Sequence, residues 1–298
     1  MVILSNTAAM NAQGALNDAN NAESKSLQEL STGLRINNAS DDAAGYAISQ
    51  NLQTQVNGTS QSLQNAQDGV SALTIAEGAA NQITDILQRM RELAVQSAND
   101  TMSSSDRQYT NQEYQQLTSE INRIANVTNF NGMQLISSTG SSSSDRLGIG
   151  GMNGSQGSSI WVDANSSYGV DSITITIDTM TTNFLGAGAA SAPSNLGAST
   201  LTSQTDAIQA MNSLDAAINS VNLMQANLGA YVNRLEDAVN NLQTENTNQT
   251  SAQSQIQDVD FASETTEYTK TQILVQSATA MLAQANSAPQ NVLTLIKS

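Results

Sequence analysis

Apolar positions recur at steps of three and four through both ends of the chain and alternate only near its middle. From Ala12 onward, Leu16, Ala19, Leu27, Leu30 and Leu34 fit one helical stripe and Gly33 is placed to end it, which predicts a helix near residues 7–32. Residues 34–42 lose that period. There Ser40, Asp41 and Asp42 offer side-chain oxygens to cap the next helix. Its stripe runs through Ile48, Leu52, Val56, Thr59, Leu63, Ala66, Val70 and Leu73, then Ile83, Leu87, Met90, Ala94 and Ser97, as far as Asn99 and Asp100. Unbroken, such a helix is about 85 Å long at ~1.5 Å per residue, more than the width of a compact domain. Gly58, Gly69 and Gly78 each weaken it by ~1 kcal/mol relative to Ala.

Ser105 and Asp106 cap a shorter helix carrying Tyr114, Leu117, Ile121 and Ile124, which ends before the turn signal Asn129-Phe130-Asn131-Gly132. Composition then shifts to Ser and Gly, and two alternating runs follow: Ile160, Val162, Ala164 and Ile173, Ile175, Ile177. These predict two strands joined around residues 166–169. Residues 186–200 read as flexible, and a long helix resumes through Met211, Leu214, Ile218, Val221, Leu228, Tyr231, Leu235, Ala238 and Leu242 at near-heptad spacing. A final helix starts near Ala262 and carries Ile273, Leu274, Ala278, Met281, Leu282 and Ala285, with Pro289 marking its end or a kink. The chain is thus mainly α: a long antiparallel helical bundle or coiled coil formed by its N- and C-terminal halves, with a small central β-hairpin region. The terminal helices, Ala-rich and marginal alone, are expected to order on meeting partners.

Composition turns that picture toward assembly. Charged residues make up 12% of the 298 residues and aromatic ones 3%, so Asn, Gln, Ser and Thr fill positions where a freely soluble rod carries Lys and Glu. The net charge of −16 disfavours nucleic acid. No apolar run approaches the ~20 residues of a membrane span, and the first cation is Lys25, so export without a cleaved signal peptide is expected. With no His and no Cys, the usual general base, the Ser-His-Asp triad and thiolate or imidazole metal sites are excluded; the protein reads as no enzyme, with no metal and no cofactor. Asp41 and Asp42 fit helix capping better than an acid–base pair. Asp258, Asp260 and Glu264 hint at a calcium loop, but Ser263 and Thr269 stand where that loop needs Gly and Glu. Residues 148–151 lack the strand and helix that flank a phosphate loop.

Several stretches resemble bacterial flagellin. Leu30-Ser31-Thr32-Gly33-Leu34-Arg35-Ile36-Asn37, continuing through Asp41-Asp42-Ala43-Ala44-Gly45 to Ala47-Ile48, is similar to that family's amino-terminal signature. Leu87-Gln88-Arg89-Met90-Arg91-Glu92-Leu93-Ala94-Val95-Gln96-Ser97-Ala98-Asn99 and Phe130-Asn131-Gly132 follow in the family's order. Ala283-Gln284-Ala285-Asn286 with Pro289-Gln290-Asn291-Val292-Leu293 resembles its carboxy-terminal end. The resemblance covers nearly all of residues 1–138 and 203–298.

It implies a self-assembling structural subunit of the extracellular flagellar filament, used for swimming motility and exported by the flagellar type III apparatus. Its partners would be copies of itself, an export chaperone, the filament cap and the hook-junction proteins, with no membrane insertion. Residues 1–42 and 256–298 would form the terminal coiled-coil domain of the inner tube, 43–138 and 203–255 the helical rod, and 139–202 a short variable region with outer domains largely absent. Polymerisation contacts would include Leu27, Leu30, Leu34, Ile273, Leu274, Met281, Leu282, Val292 and Leu293. Asp41, Asp42, Asp258 and Asp260 would lie in the two spokes, 34–42 and 254–261, which join the layers. The second spoke lacks the basic residues common in flagellins, which puts ion pairs there in doubt, and residues 141–144 are a glycosylation candidate. Arg89, Leu93 and Glu113 match residues through which Toll-like receptor 5 recognises free flagellin monomer; a plain structural reading pairs Arg89 with Asp85 and buries Leu93 in the core. A hook–filament junction protein and a secreted helical adhesin are the alternatives, while a metalloprotease insert would need His-Glu-x-x-His.

Overall fold

The computed structural model describes residues 6–137, 158–163, 171–186 and 195–297, with no side-chain description at 158 or 288–297. Five helices carry most of these residues: α1 (Thr7–Thr32), α2 (Ala43–Ala98), α3 (Ser104–Val127), α4 (Gln204–Gln257) and α5 (Phe261–Lys297). Two antiparallel hairpins pair β1 (Asn129–Phe130) with β2 (Met133–Gln134) and β3 (Ser158–Trp161) with β4 (Ser172–Ile175). Contacts divide the chain into two compact units, residues 1–56 with 247–298 and residues 57–246.

In the larger unit, α2 turns a seam of Ala66, Leu73, Ala76, Ala80, Ile83, Leu87, Met90 and Ala94 inward, a strict alternation of steps of three and four from Leu73 onward. Asn81 faces Gln225 and Arg91 faces Asp215, which sets α2 and α4 antiparallel. α3 closes the bundle with Tyr114, Ile121 and Ala125. Its start differs from the expectation that Ser105 and Asp106 cap it. Ser103 is the cap; its hydroxyl accepts from the Asp106 N–H while Asp106 accepts from the Ser103 N–H, so Asp106 is the third helical residue of a reciprocal capping box. Beyond α3 the Asn-Gly signal makes the tight turn of the first hairpin, with φ of 49° at Asn131 and 81° at Gly132.

The second hairpin lies on the same core. Ile173, Ile175 and Ile177 are buried as their alternation predicts, whereas Ala164 and the loop at 166–169 fall outside the described residues. Residues 141–144 and 148–151 do so too. Part of the stretch expected to be flexible is fixed: Leu196–Ala198 form a 3-10 turn, and Leu196 and Leu201 are buried, because apolar side chains there complete the core. Amide side chains on α3 hold this returning segment. Asn111 accepts from the Leu201 N–H, Gln115 donates to the Ser199 carbonyl, and Asn122 accepts from the Thr182 N–H and hydroxyl.

In the smaller unit α1 and α5 pair along a heptad seam. Its less exposed positions are Ala12, Leu16, Ala19, Glu23, Ser26 and Leu30 on α1, and Tyr268, Thr271, Val275, Ala278, Leu282 and Ala285 on α5. Leu27, read from the sequence as part of the α1 stripe, is off this seam and 51% exposed. α1 ends as expected at Gly33, whose φ of 73° is the left-handed cap that glycine adopts freely. α5 does not end at Pro289 but continues to Lys297. The carbonyl that a helical proline leaves without a donor is that of Ala285, and it accepts from the Asn6 side chain at 2.8 Å.

Candidate functional site

Three groups of sequence-marked residues can be placed. The first is the pair of segments linking the terminal helices to α2 and α4. Residues 33–36 and 256–259 run antiparallel through a bridge between Leu34 and Asp258. The Arg35 N–H donates to the Gln257 carbonyl at 2.7 Å and the Val259 N–H to the Gly33 carbonyl at 3.0 Å. The Arg35 guanidinium donates to the Ile256 carbonyl at 2.6 Å. A backbone carbonyl thus takes the place of an acidic partner, and a segment poor in charge is held by its main chain. That arrangement had no signal in the sequence, because bridge pairing leaves no side-chain signature.

The four aspartates are structural. Asp41 accepts from the Asn37 and Asn38 N–H groups, closing the loop, and Asp42 accepts from the Ala44 and Gly45 N–H groups, capping α2. Asp260 accepts from the Ala262 N–H at the start of α5, and Asp258 accepts from the Ser254 hydroxyl. At Asp41 these bonds hold the pKa below its ordinary value, with the Asn38 N–H the largest contributor. Lys25, the only cation on α1, lies 3.7 Å from Glu29 and 3.5 Å from Asp41. Glu29 itself is buried, and desolvation, then the charge of Glu264, raises its pKa despite Lys25.

The second group comprises the apolar residues of the terminal helices. Leu30, Leu34 and Leu282 are half-buried, but Leu27, Ile273, Leu274 and Met281 are exposed by 51%, 57%, 48% and 64%. The side chains of Val292 and Leu293 lie outside the description. The third group is Arg89, Leu93 and Glu113. The Arg89 guanidinium donates through Nε and Nη2 to Glu113 Oε1 at 3.1 and 2.9 Å and through Nη1 to Glu92 at 2.9 Å. Asp85 is not its partner, because Glu113 on α3 reaches the guanidinium from the side with two donors aligned. Leu93 is core, 2% exposed.

Among the described residues no cluster of three His, Cys, Asp or Glu side chains could hold a metal, and no helix is long and apolar enough to cross a membrane. The groups above instead cap, staple and present apolar surface, which is the chemistry of assembly. Comparison with known proteins agrees. The bacterial flagellin N-terminal helical region matches residues 3–141, and the bacterial flagellin C-terminal helical region matches residues 211–296. The flagellar filament 33 kDa core protein of Treponema phagedenis is 42% identical over 299 residues, covering 100% of both chains. The chain belongs to the bacterial flagellin family. A Bacillus subtilis flagellin is 38% identical over 312 residues, again covering 100% of both chains. A crystal structure of Bacillus cereus flagellin is 30% identical, covers 64% of this chain and 94% of that one, and has a TM-score of 0.47. As a flagellin, the protein is a structural filament subunit, and its helical pairing and small central hairpin are features of the fold described above.

Proposed function

We propose that this flagellin is the repeating subunit of an extracellular flagellar filament used for swimming. In this reading residues 1–42 and 256–298 line the inner tube, 43–138 and 203–255 form the rod layer, and 139–202 face outward. The reading rests on how apolar side chains are divided between the two faces of the terminal helices. The α1–α5 seam takes up only part of the large apolar side chains of these helices, while Leu27, Ile273, Leu274 and Met281 stand outside it, exposed. Covering them with further copies removes apolar area from water at about 25 cal/mol per Å². With charged residues at 12% of the chain, little charge has to be desolvated in covering them, and the gain has to outweigh the repulsion between copies that each carry a net charge of −16. Full-length similarity to a flagellar filament core protein favours the filament over a junction protein or adhesin. An export chaperone, the filament cap and the hook-junction proteins belong to the same proposal. The test is negative-stain electron microscopy of purified monomer under polymerising conditions, beside a variant lacking residues 256–298. Filaments from the full chain and none from the truncation are expected; a truncation that polymerises normally sinks the reading.

A second reading concerns free monomer and Toll-like receptor 5. Arg89 and Glu113 form an exposed, preorganised ion pair, side chains 51% and 46% exposed, that a receptor can engage, while Leu93 positions α2 from within. Arg89→Ala is expected to lower signalling by monomer in a receptor-reporter cell assay. Wild-type monomer without any signal would remove the receptor from the proposal.

A further inference from the structure

The α1–α5 seam mixes small side chains such as Ala12, Ala19, Ser26, Ala278 and Ala285 with larger ones such as Leu16, Tyr268 and Leu282, and the bridge between Leu34 and Asp258 sets its register at one end. The other end of the pair, where α1 begins and α5 nears its last turns, lies the 26-residue length of α1 away from that bridge and carries a contact of its own. Pro289 is the only proline in α5. It lacks an N–H, so within the helix the carbonyl of Ala285 is left without its donor. Asn6 Nδ2 donates to that oxygen at 2.8 Å. The same side chain caps α1, its Oδ1 accepting from the Ala9 N–H at 3.1 Å. This second bond fixes which way the amide points, since a backbone N–H only donates: the oxygen must face Ala9 and the nitrogen is left for Ala285.

We propose that Asn6 and the carbonyl freed by Pro289 form a register pin between α1 and α5, and that the helix beyond Pro289 depends on it. Pro289 creates one acceptor at one position on α5, and the cap of α1 supplies one donor. Sliding the pair by a heptad leaves both unpaired, as it does the backbone groups of the Leu34–Asp258 bridge at the opposite end. The last turns of α5 therefore form only when the start of α1 is docked in the correct register. The pin lies within one chain and does not depend on the filament reading.

Hydrogen exchange read by mass spectrometry on the full chain, free in solution and sedimented as polymer, tests this over residues 290–296. Asn6→Asp and Asn6→Ser both keep a capping acceptor for the Ala9 N–H, but neither donates to Ala285, the first for want of a proton and the second for want of length. Each is expected to speed exchange of those amides at least about tenfold relative to wild type. In a Pro289→Ala background residue 289 supplies its own N–H to Ala285, so the same substitutions are expected to change exchange by less than about threefold. Equal exchange in wild type and in both Asn6 variants overturns the pin, as does an equal loss with and without Pro289. Wild-type amides at 290–296 that are unprotected in both states overturn it as well. Failure of the wild type to form polymer counts against the filament reading alone, and the comparison in solution still decides the pin.

Discussion

Two buried groups stand out at the residue scale because their environment works against them. Glu29 is 8% exposed, with Glu264 across the seam, Asp41 on the adjoining loop, and only Lys25 to offset them. Its pKa is therefore higher folded than unfolded. The sign follows: the α1–α5 pair is relieved of this penalty below the unfolded value of about 4.5, and bears it as pH rises through the folded value. Thermal unfolding of α1 and α5, followed by circular dichroism, should thus show Glu29→Gln stabilising near pH 7.5. The difference from wild type should close near pH 4. Tyr114 is the second case. It is fully buried, burial pushes its phenol well above the ordinary value, and neither its hydroxyl nor that of nearby Ser199 meets a partner at hydrogen-bonding geometry. Removing an unsatisfied hydroxyl costs little, so Tyr114→Phe should fall within about 1 kcal/mol of wild type or above it. Tyr114→Ala should lose about 3–5 kcal/mol by opening a cavity. Urea unfolding of the two variants separates polar from packing contributions.

Among the elements, α2 shows that glycines alike in sequence differ in purpose. A methyl group added at Gly78 meets nothing within 4 Å. One added at Gly69 collides with Ile160 Cδ1 and falls 3.2 Å from Leu235 Cδ1. Gly69 thus leaves room for Ile160 of the β3–β4 hairpin to approach the helix, and Gly78 is a propensity cost without a packing return. Gly78→Ala should stabilise the monomer by about 1 kcal/mol, the full helix-propensity gain. Gly69→Ala should gain clearly less, because the Ile160 methyl must swing aside. Denaturant midpoints of the two single variants check the difference, and equal gains would contradict the close approach.

For the molecule as a whole, the division of the core matters most. The continuous apolar cluster runs from Ala66 to Leu235, all within the unit of residues 57–246. Among the described residues, the other unit buries only Ala19 and Ile36 of its apolar side chains. Local stability follows buried apolar surface, so the free monomer should open at α1 and α5 long before its larger unit. Limited trypsin digestion reads this directly. Cleavage is expected after Lys25, Arg35 and Lys270 well before Arg91 and Arg123, even though the side chains of Lys25, Lys270, Arg91 and Arg123 are comparably exposed at 58%, 63%, 50% and 61%. Polymerised protein should lose that difference, because neighbouring copies then cover the terminal pair.

Local pattern was enough for much of this. The step of three and four placed α1 at its observed ends, the alternation of Ile173, Ile175 and Ile177 placed the buried strand, and Asn131-Gly132 announced its turn, since each depends only on residues a few positions apart. The absence of His and Cys set the limits on chemistry, and the helical signatures fixed the family. Partner choice was another matter. Leu27 fits the helical period of α1, yet the seam passes it by and leaves it exposed. Arg89 passed over Asp85 and, beside its neighbour Glu92, took Glu113, 24 residues on, while Arg35 found a carbonyl 221 residues distant in place of an acid. Pro289 carried the local signal of a helix end, and a side chain 279 residues from Ala285 supplied the donor that the helix had lost. Periodicity states which faces a helix must bury and which groups it leaves unpaired. Only the tertiary structure brings up the particular surface and the particular donor that meet them, because those come from parts of the chain that local sequence does not connect.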